Sequence, residues 1–120
     1  MSVYVDGFVL PLRKDKLEEY KAIAENASKI WKEYGALEYR ECIGEDLDVK
    51  DVLPFPTLAN AGPDETVVFA YITYRSREHR DEVNAKVMAD PRISEMCTPG
   101  NAPFDCKKMA YGGFTTIVQA

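Results

Sequence analysis

The strands predicted in this 120-residue chain are apolar on both sides, and this feature constrains the fold more than any other. Successive side chains of a strand point to opposite faces of a sheet. In residues 65–74, ETVVFAYITY, Val68 and Ile72 lie on one face while Phe69 and Tyr71 lie on the other. An antiparallel sheet with one solvated face alternates apolar and polar residues instead. Both faces of the predicted sheet must therefore be covered.

Hydrophobic periodicity and turn residues predict six elements in the order β-α-β-β-α-β. The strands are predicted at 3–10, 36–44, 65–74 and 107–118, and the helices at 15–34 and 77–89. Ser76 is a good N-cap for the second helix, and Gly112 and Gly113 predict a bulge or a close backbone approach in the last strand. This order is typical of an α+β, ferredoxin-like βαββαβ fold, in which a four-stranded antiparallel sheet carries two helices on one face. We expect residues 1–120 to form one such domain.

Two helices can cover only one of the two apolar faces. The simplest cover for the other face is a second copy of the sheet, which would give a homodimer with the architecture of a dimeric α/β barrel. The alternative is a monomer in which the long connection at 45–64 folds over the open face. This connection carries Leu53 and Phe55, and long loops with apolar residues are usually functional lids or docking arms.

Composition excludes several classes of protein. The net charge is −5 and no basic block exists, which argues against a nucleic-acid partner, RNA included. No segment is long and apolar enough for a membrane span or a signal peptide, so we expect a cytoplasmic protein. Cys42, Cys97 and Cys106 are odd in number and form no CxxC pair, so neither a disulfide framework nor a zinc site is indicated. No glycine-rich phosphate loop or nucleotide fingerprint predicts a cofactor.

Asp6 is the residue least expected where it stands. It lies in the middle of the first strand, where aspartate is rare. A desolvated carboxyl would have a raised pKa and could exchange protons with a ligand. A structural ion pair, with Arg40 of the second strand as its partner, explains the residue equally well.

His79 is the one histidine of the chain, and it shares a helical face with Val83 and Val87. That face is the one predicted to turn toward the sheet. A neutral imidazole there could act as a general base near pH 7. Alternatively, His79 ends the apolar stripe and bonds a backbone carbonyl. No histidine pair at metal-binding spacing exists, so we predict no metal site.

Further polar residues are candidates for a ligand pocket between the sheet and the helices. The ligand-binding candidates are Tyr39, Arg40, Tyr71, Arg80 and Asn84. An arginine would hold an anionic group, and the tyrosines would line the wall. For Arg80 and Asn84, a solvated helix face is the alternative explanation.

Several stretches, taken together, resemble the YbaA-like family of small bacterial proteins. They are YVDGFVLP at 4–11, ALEYRE at 36–41, DETVVFAYITYRSREHRDEVNAKVMADPR at 64–92, PFDCKKM at 103–109 and GGF at 112–114. The resemblance spans nearly the whole chain and implies the dimeric α/β barrel superfamily. It supplies no catalytic residues, because this family is a domain of unknown function.

Two functions remain open at this point. The chain is either a small-molecule enzyme, of a cofactor-independent oxygenase or isomerase type, or a non-catalytic dimeric module that binds a metabolite or a protein. In the first case Asp6 or His79 handles protons. In the second, the arm around Phe55 makes the contact.

Overall fold

The computed structural model describes residues 3–96 and 103–120. It contains four strands: β1 (Tyr4–Arg13), β2 (Glu38–Ile43), β3 (Glu65–Tyr74) and β4 (Ala110–Thr115). The α-helices are α1 (Leu17–Glu33), α2 (Phe55–Leu58), α3 (Arg77–Met88) and α4 (Pro91–Met96), with short 3₁₀ turns at Lys14–Lys16 and Cys106–Lys108. The predicted βαββαβ order is confirmed, and α2 and α4 are additions to it.

All strand pairs are antiparallel, in the order β2-β3-β1-β4. This is the α+β ferredoxin-like sheet, with β1 and β3 at its centre. The prediction that the first strand stops at Pro11 is wrong, because β1 continues to Arg13. Pairing with β4 ends at Val9, so one side of β1 is an edge at Pro11, where a missing backbone N–H is tolerated.

The helices α1 and α3 cover one face of the sheet. Ile30 of α1 and Val83 and Val87 of α3 are buried in one cluster with Ile72 and Tyr74 of β3. Fully burying one such aliphatic side chain stabilises a fold by about 1.5–3 kcal/mol. This face therefore holds the core of the protein.

The predicted N-cap of the second helix is confirmed, and a second cap precedes α4. Ser76 Oγ accepts a hydrogen bond of 3.1 Å from the backbone N–H of His79 at the start of α3. Asp90 Oδ1 accepts one of 2.8 Å from the N–H of Arg92 at the start of α4. The Ser76 cap fixes where α3 begins, and so which of its residues face the sheet.

Of the two alternatives predicted for the glycines of β4, a bulge or a close backbone approach, the structure shows the second. The register runs without an inserted residue, with Gly113 opposite Asp6 and Gly112 opposite Gly7. A Cβ on Gly113 would clash with the Tyr4 hydroxyl oxygen. Gly113 therefore permits a close approach of Tyr4 to the backbone, and no bulge forms.

The sheet face opposite the helices is only partly covered by the connection at 45–64. Phe55 of α2 packs edge-on against Phe69 of β3, with ring centroids 6.3 Å apart. Phe69 is still 46% exposed, and Phe114 of β4 is 61% exposed. The chain itself therefore leaves an apolar surface, here called the open face, made of Val5, Val9, Phe69 and Phe114.

The cap at Ser76 supports a stability prediction. Ser76→Ala removes the acceptor of an N-terminal helix N–H and should lower the free energy of unfolding by about 1 kcal/mol. Ser28→Ala is the matched control. Ser28 lies inside α1 and donates to the carbonyl oxygen of Glu25 in its own helix, so alanine should be neutral there. Urea denaturation of both variants checks this; equal losses would contradict the cap's role.

Candidate functional site

A cavity of about 360 Å³ lies between the sheet and the helices. We call it the inner cavity. Its wall is mainly aromatic and aliphatic, with contributions from β1, β2, β3, α1 and the segment before β4, among them Phe8, Leu10, Ile23, Trp31, Ile72 and Phe104. Its size is that of ordinary small-molecule sites. Alanines at positions 24, 27 and 70 leave this space, because larger side chains there would fill it.

Asp6 lies at the sheet side of the inner cavity and is 1% exposed. Among the described residues, its Oδ1 has no hydrogen-bond partner. Its nearest cation is Arg80, with Nη1 3.6 Å from Oδ1, which is an ion pair without a hydrogen bond. Burial raises the pKa of the carboxyl above its ordinary value of 3.8, and the nearby Arg80 guanidinium opposes this rise without cancelling it.

Arg80 is held behind Asp6 by two tyrosines. Its Nη1 donates to the hydroxyl of Tyr111 at 2.9 Å, and its Nη2 donates to the hydroxyl of Tyr4 at 3.2 Å. The guanidinium also lies over the ring of Tyr4, 5.1 Å from the centroid. Because α3 begins at the Ser76 cap, Arg80 falls on its first turn, directly over the sheet. The contacts fix the guanidinium where it faces Asp6.

Asn84 lies one turn further along α3 and lines the inner cavity. Its Oδ1 accepts hydrogen bonds from Trp31 Nε1 at 3.3 Å and from the Tyr74 hydroxyl at 3.2 Å. The side-chain oxygen thus ties α1, α3 and β3 together. The side chains of Tyr111 and Asn84 also hydrogen-bond the Asp6 carboxyl, and both bonds oppose the rise of its pKa without cancelling it.

A second polar cluster lies at the β2 side of the inner cavity. Glu41 accepts a short hydrogen bond from the Tyr20 hydroxyl at one oxygen and one of 2.7 Å from the Tyr39 hydroxyl at the other. Burial raises the pKa of both phenols, so they remain protonated donors at neutral pH. On its other side, the cluster borders a groove of about 430 Å³ between α1 and β2.

The charged side chains in the described lining of the inner cavity are all acidic. Its described lining contains two carboxyl groups, Asp6 and Glu41, and no lysine, arginine or histidine. The prediction that an arginine holds an anionic ligand group finds no support in this lining, because Arg80 is bound to Asp6, Tyr4 and Tyr111. The lining suits a neutral or cationic molecule.

The structure brings together four of the seven candidate residues. Asp6, Tyr39 and Asn84 line the inner cavity, and Arg80 lies behind Asp6. The prediction that Tyr71 and Arg40 line the pocket is wrong. They pair across β2 and β3 on the opposite face of the sheet, with the guanidinium carbon of Arg40 6.0 Å from the centroid of the Tyr71 ring. The partner of Asp6 is therefore Arg80 and not Arg40.

His79 is buried as predicted, yet it does not line the inner cavity. Its Nδ1 accepts a hydrogen bond of 3.0 Å from the backbone N–H of Arg75, and its Nε2 lies against Gly35, whose backbone it bonds. Burial lowers the pKa of the imidazole, which favours the neutral form. Both ring nitrogens thus connect the start of α3 to the turn after α1. We leave His79 out of the proposed site.

Sequence reasoning missed Tyr20, Glu41 and Tyr111. Glu41 lies two residues after Tyr39 in β2, and that spacing puts both on one strand face and brings them together. Tyr20 is 21 residues away from Glu41 in sequence, and no local pattern signals their contact. Tyr111 comes from the last strand, and only the sheet register brings it to Phe8, with ring centroids 5.0 Å apart.

Within residues 3–96 and 103–120, no three side chains of His, Cys, Asp or Glu lie close enough together to hold a metal ion. None of the helices in this described part combines the length and apolarity needed to cross a membrane. Cys42 and Cys106 are unpaired thiols, and Cys97 lies outside the described residues.

The raised pKa of Asp6 predicts a pH-dependent stability. Between pH 3.8 and the raised folded-state pKa, the folded protein retains a proton that the unfolded chain has lost, so this residue's contribution to the free energy of unfolding falls as pH rises through that interval. Asp6→Asn should therefore gain stability relative to the unmodified protein as pH rises above about 4.

Asp90→Asn is the control with the opposite sign. Hydrogen bonds from Arg92 lower the pKa of Asp90, so the unmodified protein should lose its advantage over that variant only as pH falls below 3.8. Urea denaturation between pH 3 and pH 8 measures both differences. A pH-independent difference for Asp6→Asn would contradict the assignment.

Three comparisons place the chain among known proteins. Residues 3–106 match the family described as "Protein of unknown function (DUF1428)". The "Uncharacterized protein YbaA" of Escherichia coli K12 is 43% identical over 115 residues, covering 96% of this chain and 97% of the relative. The protein of the same name from Shigella flexneri matches to the same extent.

Solved structures share the fold at low identity. A NIPSNAP family protein with unknown function from Agrobacterium tumefaciens superposes with a TM-score of 0.60 at 17% identity, covering 95% of this chain and 87% of that one. A dimeric ferredoxin-like protein from an uncultured marine organism superposes with a TM-score of 0.59 at 8% identity over the full length of both chains. The resemblance to the YbaA-like proteins is confirmed, and the chain belongs to the DUF1428 family.

Proposed function

We propose that this protein binds a small, mainly apolar, non-anionic molecule in the inner cavity and that Asp6 exchanges a proton with it. The observation that carries this proposal is that Asp6 Oδ1, buried in the wall of a mainly apolar cavity, makes no hydrogen bond with the described residues. An orphaned buried acceptor is costly unless a ligand or water satisfies it. The free-energy cost of burying Oδ1 without a hydrogen bond supports a functional role for Asp6.

The environment of Asp6 suits proton transfer. Burial disfavours the ionised form, which makes the carboxylate a stronger base when it does ionise. Arg80 stabilises the negative charge after proton loss and is itself fixed by Tyr4 and Tyr111. Proton removal from carbon is the first step of both isomerisation through an enolate and cofactor-independent oxygenation. Those two reaction classes fit this set of side chains.

We also propose that a second copy of the chain covers the open face. Phe69 and Phe114 expose a large part of their rings there, and an uncovered apolar sheet face is prone to association. Two solved proteins with the same fold are described as dimeric ferredoxin-like proteins. Sheets packed face to face would form a barrel with the helices outside, so each inner cavity would lie away from the contact between the copies.

The proposal places the protein in the cytoplasm and includes no nucleic-acid partner. The exposed, unpaired thiols of Cys42 and Cys106 suit a reducing compartment. The net charge of −5 disfavours contact with phosphates.

Binding is tested by filling the inner cavity. 4-Methylbenzyl alcohol, a small aromatic probe with one hydroxyl, should bind saturably in an NMR titration. Ile23→Trp puts an indole into the cavity wall and should weaken binding at least about tenfold, the equivalent of ~1.4 kcal/mol. Ile117→Trp, the same change at an exposed position, should leave the affinity unchanged. Absence of saturation in the unmodified protein, or equal affinity in Ile23→Trp, would rule out this cavity as the site.

The dimer is tested by charging the open face. The unmodified protein should sediment at about twice the chain mass at micromolar concentration. Phe114→Lys should sediment as a monomer, because a buried unpaired charge opposes association. Ala85→Lys, on the exposed surface of α3, should remain dimeric. A monomeric unmodified protein, or a dimeric Phe114→Lys variant, would refute the proposed contact.

A further inference from the structure

We infer that the inner cavity selects a molecule with a hydrogen-bond donor at each of two ends, one bound by Asp6 and the other by Glu41. This inference rests on the proposed function and names the ligand class for the same site. Its starting point is that each polar end of the cavity carries a carboxyl group, Asp6 at one end and Glu41 at the other.

The two carboxyl groups stand at a fixed separation across the sheet. Asp6 pairs with Ile72, and Ile72 pairs with Tyr39 on the next strand. Glu41 lies two residues further along β2, on the same face as Tyr39. Strand spacing and rise place the Cα atoms of Asp6 and Glu41 roughly 12 Å apart. That span accommodates one ring with a short polar arm on each side.

At the Glu41 end, the phenolic protons are already used. Tyr20 and Tyr39 each donate to a different oxygen of Glu41. An ionised carboxylate has about four lone-pair sites, so acceptor capacity remains on both oxygens. The two phenols hold the carboxylate in one orientation, since one comes from α1 and the other from β2. A ligand reaching this end therefore meets oriented acceptors and must bring a donor.

At the Asp6 end, the cation is committed in the same way. The guanidinium of Arg80 donates to Tyr111 and Tyr4, and it faces Asp6. The side-chain oxygen of Asn84 is occupied by Trp31 and Tyr74. Asp6 Oδ1 lies 3.6 Å from Arg80 Nη1 and makes no hydrogen bond with the described residues, so it is the acceptor that remains at this end and calls for a donor on the ligand.

The wall between the two ends suits an aromatic ring or an alkyl ring. Trp31 packs against Tyr39, with centroids 5.8 Å apart, and Phe104 and Ile72 complete the wall. Aromatic faces beside carboxylates also tolerate an ammonium group. The ligand class is therefore a ring with a hydroxyl or amino group at each end and no negative charge.

A series on one scaffold tests the two ends separately. The probes are p-xylene, 4-methylbenzyl alcohol and 1,4-benzenedimethanol, which carry zero, one and two hydroxyls, and 4-methylbenzoate, which carries a negative charge. The dissociation constant should fall roughly fivefold with each hydroxyl, in line with the net value of one hydrogen bond. 4-Methylbenzoate should bind more weakly than p-xylene, because no cation lines the described wall.

Glu41→Leu should abolish the advantage of the diol over the mono-alcohol and keep that of the mono-alcohol over p-xylene. Glu25→Leu is the matched control, since Glu25 lines the groove between α1 and β2 and not the inner cavity. Glu41→Leu leaves two buried phenols without their acceptor and could disturb the fold. A second measurement, on the unmodified protein, therefore tests the same contact. Intermolecular NOEs should join one methylene of the bound diol to Asp6 and the other to the rings of Tyr20 and Tyr39.

The outcomes separate this inference from the proposed function. If none of the four probes binds, the inner cavity is not a ligand site and both fail. If the three uncharged probes bind equally, the cavity binds ligands and the two-ended selection is refuted. A diol preference that survives in Glu41→Leu, or NOEs from both methylenes to the same end, would also overturn it.

Discussion

The burial of Asp6 in the middle of a central strand is the constraint on which the interior of this protein depends. A carboxyl at that position needs a cation, and Arg80 of α3 supplies it at 3.6 Å. The guanidinium is then fixed by Tyr4 and Tyr111, which belong to the strands at the start and the end of the chain. One buried charge thus determines contacts among β1, α3 and β4. Such a group is a weak source of stability, because desolvation offsets much of the attraction.

The shape of the inner cavity follows from where the chain places small residues. The helix α1 presents alanines at 24 and 27 toward the sheet, and β3 presents Ala70 beneath them. Between larger neighbours such as Trp31 and Phe104, these alanines leave an open volume instead of a packed core. The polar groups at its two ends are held by tyrosines from different elements. Under the proposed function, such a cavity would bind its ligand with little rearrangement, since most of its internal contacts already exist.

Much of the fold was predictable because its signals are local. Alternating strands, the helical stripe of α1 and the cap at Ser76 depend on residues only a few positions apart. The extension of β1 through Pro11 was not predictable from the sequence, because it depends on where pairing with β4 ends.

The candidate site was predictable only in part. Asp6 was identified because its residue type conflicts with its position, and Tyr39 because it was expected to line a pocket between the sheet and the helices. The partner of Asp6 was misassigned to Arg40, although strand alternation places Arg40 beside Tyr71 on the other face. Tyr20 and Tyr111 reach the inner cavity through packing and register over long sequence separations. Those contacts have no sequence signal in a single chain.

The central claim is that Asp6 carries a carboxyl made a weaker acid by burial in a ligand cavity. Direct titration of this group by ¹³C NMR tests it, with the Asp6 carboxyl resonance assigned by its loss in an Asp6→Asn sample. The structure predicts a midpoint above 3.8. A midpoint at or below that value would contradict the account, because Asp6 would then be an ordinary ion-paired carboxylate.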